Sequence, residues 1–544
     1  MSRGCTGQAE GPESGLNENK EKKGLSRREV LKGAAGVAVA GAVAATAGTA
    51  QAQYTGLTPD GGTVPFRLPM GAMNYLDRNQ YISNMEILSH TPEVRTAGGE
   101  PLMAMWARGA QRLLPASGGW LDVSNPRRPE IVESSDRIQG CIAYNTEIKK
   151  WLMVRSAGQP LSSATPAFPH GRYHDELYRR ATSYSGLRGI STWDITNPDS
   201  PALLNEFSTG ETGSGTHMNF YDGGRYAYLD AGWSDQFRME NAQRPHGNAF
   251  MVVDMSDPSN VREVSRWHVP GQLFGEEEEY KKYWFAGDQS SWTSSHGGPV
   301  VPQRVEDGGT IGYASFGHFG FYVMDFSDIR NPKPLGKTLW DFETMGGIPY
   351  HTIYPVGPFV SGNDKRQLRN IVVATPEPIQ PDCREPYKPG QLIDVSDPRD
   401  PRIVGLFPRP VPPEDAPYSD FCLSRGRFGV HNTQCWVAPG NARPEIMVMA
   451  MFNAGVRVYD ISDPTAPREL AWFIPPRTGE IEEYDSWRRA EAETVFIEWD
   501  RNLIWFAGPA GTYCLSTPAL GRPVLQARRI ENWTVPHANR GWDG

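Results

Sequence analysis

The sequence predicts an all-β protein, a seven-bladed β-propeller with long loops on one face. The first support is composition: the 544 residues include 57 Gly and 46 Pro, and 11% of the chain is aromatic. Such a chain is rich in turns, and frequent proline disfavours long helices. The second support is length, because a single core stops growing at about 250–300 residues and a longer chain needs several domains or one repeat architecture. The third is a repeated phrase.

This five-residue phrase marks the ends of predicted strands. Five copies share the pattern of aspartate, apolar residue, Ser or Thr, Asn or Asp, and proline: Asp122-Val-Ser-Asn-Pro126, Asp194-Ile-Thr-Asn-Pro198, Asp254-Met-Ser-Asp-Pro258, Asp394-Val-Ser-Asp-Pro398 and Asp460-Ile-Ser-Asp-Pro464. A sixth copy begins at Asp325 and carries extra residues before its proline. Short polar side chains bond nearby backbone, and proline stops the strand. The phrase is therefore interpreted as structural and not catalytic.

The spacing of the phrase predicts the number of blades. Successive aspartates lie 72, 60, 71, 69 and 66 residues apart, and after a further 54 residues the phrase returns as Cys514-Leu-Ser-Thr-Pro518. Seven units, each with several strand-like runs, suit seven four-stranded blades around an axis. Compact blades need only about 40–50 residues, so each unit carries about 20 extra residues of loop. Function is expected in those loops.

The phrase resembles the repeat of the LVIVD family of bacterial secreted propeller proteins, over roughly residues 80 to 520. The resemblance implies repeated sheet units outside the cytoplasm and names no reaction. We predict a signal peptide over residues 1–52, an N-terminal extension over 53–80, the propeller over 81–530 and a tail over 531–544.

The N-terminal segment is similar to a twin-arginine signal peptide. Ser26-Arg27-Arg28-Glu29-Val30-Leu31-Lys32 precedes an Ala/Gly/Val run over 33–47, and Ala50-Gln51-Ala52 offers a cleavage site, although Val30 stands where the usual pattern has Phe. The resemblance implies the twin-arginine export machinery as a partner, a periplasmic location, and folding before export, often with a cofactor bound. The run is too short and too rich in Ala and Gly to favour a membrane anchor. No membrane span is expected after processing.

Charge and cysteine content exclude several classes of protein. The net charge of -9 argues against nucleic acid or an anionic membrane as the main partner. The processed chain would keep five cysteines, an odd number that excludes a complete disulfide framework, although one pair such as Cys383 with Cys422 could oxidise. The absence of a CxxC motif excludes c-type haem and zinc-ribbon sites.

Four histidines open the predicted first strands of four consecutive units. They are His217, His296, His351 and His431, which lie 37, 29, 43 and 29 residues before the repeat aspartates of their units. First strands of a propeller are innermost and begin at one mouth of the axial channel. We therefore expect the four imidazoles to converge there and to bind one transition metal ion, iron or copper, with zinc as an alternative. For any one histidine alone, a structural role at a turn or blade seam is the competing interpretation.

Two further residues are candidates for catalytic roles near this site. Glu493 opens the first strand of the seventh unit at the matching register, where it could accept a hydrogen bond from an imidazole N–H, act as a fifth ligand, or simply be a solvated strand-end carboxylate. His318 lies in a loop between Gly317 and Phe319 and is a plausible additional polar group. In the second unit the matching position is near Gly140 or Cys141.

The longest insertions are expected on the same mouth as the histidines. They are residues 157–187 with His170 and His174, residues 232–248 with His246, residues 316–320 with His318, residues 375–391 with Glu377 and Glu385, and residues 270–295. The last contains the acidic run Glu276 to Glu279, read as a solvated helix face, and aromatics that could roof a pocket. His170 and His174 could bind a second metal if their loop is helical, which Pro169 and Gly171 disfavour.

Motifs for other enzyme classes are missing from the sequence. It has no nucleophile elbow, P-loop or dinucleotide fingerprint in a strand-to-helix setting, which argues against serine hydrolases, NTPases and Rossmann dehydrogenases. The leading hypothesis is a periplasmic metal-dependent oxidoreductase, an oxygenase or oxidase acting on a small organic molecule with dioxygen as a possible co-substrate. The plan is similar to that of carotenoid-cleaving oxygenases and of selenium-binding proteins with methanethiol oxidase activity, without their sequence motifs. The alternatives are a non-catalytic secreted propeller that binds a partner or ligand, and a metal-dependent hydrolase or lyase.

Overall fold

The structure is a computed structural model, and it describes residues 71–94, 104–116, 118–158, 184–238, 247–286, 291–339, 347–379, 381–434, 436–480 and 492–530. The chain divides into two units, residues 1–51 and 52–544, and every described residue belongs to the second. The predicted signal peptide and C-terminal tail lie outside the described residues. So do four histidines and two cysteines: His170, His174, His246, His537, Cys5 and Cys435.

The described strands pair into seven sheets, numbered here as blades 1 to 7 in chain order. Blade 1 contains β3 (Trp106–Arg108), β4 (Gln111–Ala116), β5 (Gly119–Asp122) and β6 (Glu130–Glu133). Blade 2 contains β7 (Cys141–Asn145), β8 (Lys150–Ala157), β9 (Gly189–Asp194) and β10 (Ala202–Ser208). Blade 3 contains β11 (Gly215–Thr216), β12 (Tyr226–Gly232), β13 (Ala249–Asp254) and β14 (Arg262–Trp267).

The remaining blades follow the same antiparallel order. Blade 4 contains β15 (Ile311–Ser315), β16 (Phe321–Asp325) and β17 (Lys333–Thr338), and blade 5 contains β18 (Ile348–Pro355), β19 (Ile371–Glu377), β20 (Gln391–Asp394) and β21 (Arg402–Leu406). Blade 6 contains β22 (Ile446–Ala450), β23 (Val456–Asp460) and β24 (Arg468–Ile474), and blade 7 contains β25 (Thr494–Glu498), β26 (Leu503–Gly508) and β27 (Gly511–Ser516). In blades 4 and 6 single bridges, Val300 to Tyr313 and Thr433 to Met449, mark the innermost strand. The predicted seven-bladed propeller is confirmed.

Two N-terminal strands complete the last two blades. β1 (Tyr81–Ser83) pairs with β24 at the outer edge of blade 6, and β2 (Glu86–Thr91) pairs with β27 as the outermost strand of blade 7. The two ends of the propeller are therefore joined by β-sheet hydrogen bonds. Closure of this kind removes an open seam between the first and last blades.

Helices are few and short in the described part of the chain. One α-helix, α1 (Glu277–Tyr280), lies in the acidic run, and Glu278 at its centre is exposed, as expected for a solvated face. The 3₁₀ turns are Val305–Asp307, Gly317–Phe319, Gly357–Phe359, Arg366–Leu368 and Phe421–Leu423. None of the helices described is both long enough and apolar enough to cross a membrane.

The repeated phrase forms the predicted turn in all six of its aspartate copies. Each aspartate is the last residue of a third strand, and its Oδ1 accepts the main-chain N–H two residues later at 2.8–2.9 Å. The register between third and fourth strands also slips by one residue in blades 2 to 7, so the same β-bulge is repeated with the phrase.

The phrase also fastens neighbouring blades together. The carbonyl four residues after the aspartate accepts a hydrogen bond from the preceding blade: Pro126 from Ser89 Oγ, Pro198 from Trp120 Nε1, and Pro258 from Thr192 Oγ1. In blade 4 the extra residues put Ile329 in this position, and its carbonyl accepts from Ser265 Oγ at 2.7 Å. Apolar side chains between the sheets form the core, which includes Trp120, Leu229 and Trp505 at 0% exposure.

Candidate metal centre

Four innermost strands bring the predicted histidines to one mouth of the axis. His217 directly follows β11, and His351 lies within β18. His296 lies four residues before the inner bridge of blade 4, and His431 lies two residues before that of blade 6. His296, His351 and His431 are all at least 94% buried.

The four imidazoles stand side by side in blade order. The ring centroids are 4.6 Å apart for His217 and His296, 3.9 Å for His296 and His351, and 4.7 Å for His351 and His431. The Nε2 atoms of His217 and His296 are 3.2 Å apart. Residues separated by up to 214 positions in sequence therefore share one small volume.

A carboxylate whose sequence position predicts only a loop residue lies at the centre of this group. Glu377 is the last residue of β19, and its Oε2 lies 3.2 Å from His351 Nε2 and 3.9 Å from His296 Nε2. Its Oε1 lies 3.6 Å from His431 Nε2. The potential ligand atoms of His296, His351 and Glu377 all lie within 4.8 Å of one another.

Arg427 keeps the central carboxylate ionised. Burial alone would raise the pKa of Glu377, but the charge of Arg427 holds this pKa well below its usual range. The Arg427 guanidinium donates to Glu377 Oε1 and to the carbonyl of Pro378. It also stacks on the ring of Phe452, with Cζ 3.9 Å from the centroid.

Hydrogen bonds on its far side fix the tautomer of His351. Its Nδ1 lies 2.7 Å from Thr352 Oγ1, and that hydroxyl donates to Asn432 Oδ1 at 2.8 Å. The Asn432 amide is oriented because its Nδ2 donates to the main-chain carbonyl of Glu493. The single hydroxyl proton of Thr352 is thus used, so His351 Nδ1 is the donor and His351 Nε2 carries a lone pair.

His431 has the same tautomer for a simpler reason. Its Nδ1 lies 2.8 Å from the main-chain carbonyl of Glu493, which can only accept, so Nε2 again carries a lone pair. Burial lowers the pKa of His431 to about 3, with Glu377 acting in the opposite direction. Glu493 thus accepts the N–H of His431 on its main-chain carbonyl oxygen.

A cation would satisfy the acceptors at the centre of this arrangement. His351 Nε2 presents a lone pair to an anionic oxygen 3.2 Å away, and His431 Nε2 presents another to the second oxygen of Glu377. Two acceptors at such distances repel one another, unless a proton or a metal ion lies between them. Burial opposes protonation of His431. Imidazole nitrogens with a carboxylate oxygen suit iron, copper or zinc, so the donors present fit a transition metal ion.

Asp230 supports the other two histidines. This fully buried residue of β12 accepts the main-chain N–H of His217 on its carbonyl at 3.1 Å and that of Met218 on its carboxylate at 3.4 Å. The hydroxyl of Ser295, the neighbour of His296, donates to the same carboxylate. Asp230 therefore ties together the segments that carry His217 and His296.

His318 lies beside the metal-ligand group without joining it. Its Nδ1 accepts the main-chain N–H of Trp292 at 2.8 Å, and the Trp292 ring centroid lies 5.7 Å from that of His296. Nε2 of His318 therefore carries the proton, and it has no partner among the described residues. Burial lowers the pKa of His318 to about 3, and the charge of Lys388 lowers it further. His318 is a neutral, buried hydrogen-bond donor.

The aromatic residues after α1 cover His318. The ring of Phe285 lies 5.7 Å from His318 and 5.3 Å from Phe319, and that of Trp284 lies 6.2 Å from His318. A disulfide between Cys383 and Cys422 fastens the loop after Glu377 to the segment before His431.

Comparisons with known proteins add a repeat family and no activity. Residues 246–269 match the LVIVD repeat, and this segment includes the phrase of blade 3. Similar solved structures include the computationally designed Ika8 protein, at 10% identity and a TM-score of 0.35, covering 82% of this chain and 97% of that one. The Cps50 (Swd1) β-propeller domain of Myceliophteria thermophila is similar at 9% identity and a TM-score of 0.40, covering 79% of this chain and 99% of that one. The RRP9 WD40 repeats are similar at 9% identity and a TM-score of 0.38, covering 80% of this chain and 99% of that one. No curated protein matches.

Proposed function

We propose that this LVIVD-repeat β-propeller is a periplasmic, metal-dependent oxidoreductase that acts on a small organic molecule. One observation carries the proposal: His351 and His431 are fixed with Nε2 lone pairs directed at the ionised carboxylate of Glu377 in a buried site. His296 and His217 extend the donor set. Two imidazoles with one carboxylate favour iron, and copper and zinc are the other outcomes of a metal measurement.

Such an ion would supply a redox centre, and the chain's own residues would do the rest. Glu377 contributes negative charge that offsets the charge of the cation, while Arg427 sets its orientation. His318 Nε2–H and Trp292 Nε1–H are buried donors without partners among the described residues, so they are available to an oxygen atom of a substrate. The aromatic side chains over His318 exclude water from that position.

Elemental analysis of protein purified through its native export route tests the metal. We expect close to one transition metal ion per chain in the parent, and a large loss in His296→Ala and His351→Ala. His268→Ala is the matched control, because His268 pairs with Glu276 in the α1 loop, away from the four imidazoles. Substoichiometric metal in the parent, or equal metal in all variants, contradicts the proposal.

A second measurement separates oxidation from other chemistry. Turnover by an oxidoreductase depends on dioxygen or another electron acceptor, whereas turnover without any oxidant indicates a hydrolase or lyase. Metal binding without turnover on any substrate indicates a binding protein.

The location is tested on the N-terminal segment. Lysine substitution of both Arg27 and Arg28 is expected to hold the protein in the cytoplasm. Unchanged export of that variant would contradict twin-arginine transport.

A further inference from the structure

A cavity lies on the propeller axis directly against the metal-ligand group. Its volume is about 100 Å³, and the rings of His296 and His351 form part of its wall. The rest of the wall comes from blades 2 to 6, and it includes Ile142, Met218, Ile353 and Val437. We call this cavity the axial chamber. Anything bound in it contacts the imidazoles from the channel side.

Aromatic side chains cross the axis and lie in the wall of the axial chamber. The ring of Phe220 from blade 3 meets that of Trp436 from blade 6 in an edge-to-face contact at 5.9 Å. These blades are not neighbours, so their side chains can touch only across the channel. Trp436 is held in place because its Nε1 donates to the carbonyl of Pro355.

The polar side chains of the wall are committed to the protein itself. Gln434 exchanges hydrogen bonds with the backbone of Ile446 and Val448, and Thr433 Oγ1 donates to the carbonyl of Val448. The other polar wall residues are also hydrogen-bonded to backbone or side-chain groups of the protein, namely Cys141, Asn219, Tyr221, Ser315 and Thr352. The described wall contains no Asp, Glu, Lys or Arg. An occupant of the axial chamber would therefore meet apolar surface and imidazole.

We infer that the axial chamber is a binding site for one small, uncharged, apolar molecule that reaches the metal site from inside the propeller. This inference rests on the proposed function and names a ligand class for it. An apolar cavity of 150 Å³ accepts benzene or xenon, so about 100 Å³ suits a molecule of only a few heavy atoms, the size range of dioxygen. A charged ligand would lose its hydration without gaining a partner there.

Xenon is the probe, because it binds by dispersion alone and needs no metal. We expect the full-length protein to show saturable xenon binding by ¹²⁹Xe NMR, and the chelator-treated protein to show the same. Val437→Phe and Ile142→Phe, which fill the axial chamber from different blades, are expected to weaken binding at least tenfold. Ile131→Phe is the control, since Ile131 is an exposed strand residue on the outer edge of blade 1. Melting temperatures establish that each variant is folded.

The xenon experiment tests the axial chamber separately from the metal site. The inference is overturned if the parent shows no saturable xenon binding. It is also overturned if xenon binding is unchanged in both folded variants, Val437→Phe and Ile142→Phe. Saturable binding of benzene would overturn the stated size. If the protein binds xenon but never contains metal, the inference about the axial chamber is supported and the proposed function is contradicted.

Discussion

His351 Nε2 and Glu377 Oε2 lie 3.2 Å apart, and a neutral His351 with its proton on Nδ1 leaves neither atom with a proton to share. The pair joins the middle of an inner strand to the end of its neighbour within blade 5. A cation between them turns a repulsive contact into an attractive one.

Glu377→Gln is expected to weaken metal binding at least tenfold, because the substitution removes the negative charge while Arg427 remains beside the site. Competition of the protein against a chelator for Zn²⁺ measures the change. Glu498→Gln is the control: Glu498 is another buried glutamate bonded to an arginine, Arg501, in blade 7. An equal loss of affinity in both variants would assign the effect to general destabilisation.

His318→Ala is expected to leave metal content unchanged but to destabilise the fold by about 1–3 kcal/mol, since the buried N–H of Trp292 loses its acceptor. Urea unfolding measures the loss. His318→Asn offers an amide oxygen in a similar place and should recover much of it. A His318→Ala variant that loses its metal would show that His318 is a ligand.

Cys383→Ser is expected to destabilise the protein by about 3–4 kcal/mol, because the disulfide closes a loop with a sequence separation of 39. The parent should lose a similar amount on addition of reductant, and the variant should not respond to it. A parent whose unfolding midpoint is the same with and without reductant would contradict this role.

Gly405→Ala tests the contact between blades 5 and 6. A Cβ at Gly405 would lie 1.9 Å from the carbonyl oxygen of Pro464, which is backbone and cannot rotate away, so a loss of about 2 kcal/mol or more is expected. At Gly390 the nearest atom is Cδ2 of the Phe407 side chain at 3.1 Å. Gly390→Ala should therefore be milder, and the opposite order in denaturant midpoints would refute the argument.

Asp500 gives a pH prediction with a defined sign. Burial, followed by the charge of Glu498, raises the pKa of Asp500 to about 6, above the value near 4 of an unfolded chain. The folded protein then binds the proton more tightly, so this group's contribution to stability falls as pH rises from about 4 to 6. From pH 5 to 7 the parent should lose about 1 kcal/mol more than Asp500→Asn. Equal pH slopes in thermal melts would exclude the effect.

The sequence predicted the blades because their signal is local. The aspartate of each phrase bonds the backbone two residues away, so six turns leave the same pattern in the chain. Closure by β1 and β2 leaves no such pattern, since Tyr81 pairs with Ile474, almost 400 positions away. Neither N-terminal strand carries the phrase.

The centre of the site was harder to predict than its histidines. Eleven histidines are few enough for a shared register to stand out, whereas Asp and Glu number 63 and a single one at a strand end is not distinctive. The sequence therefore predicts Glu377 only as a loop residue. The contact of Glu493 with His431 uses a main-chain carbonyl, which every residue possesses, so side-chain identity could not reveal it.

Closure by β1 and β2 also sets an order on biosynthesis. These strands leave the ribosome first, yet their partners in blades 6 and 7 are made last. β1 and β2 therefore remain unpaired until almost the whole polypeptide has been translated, and only then can the propeller close. A C-terminal truncation that removes β24 and β27 would therefore leave β1 and β2 without their partner strands.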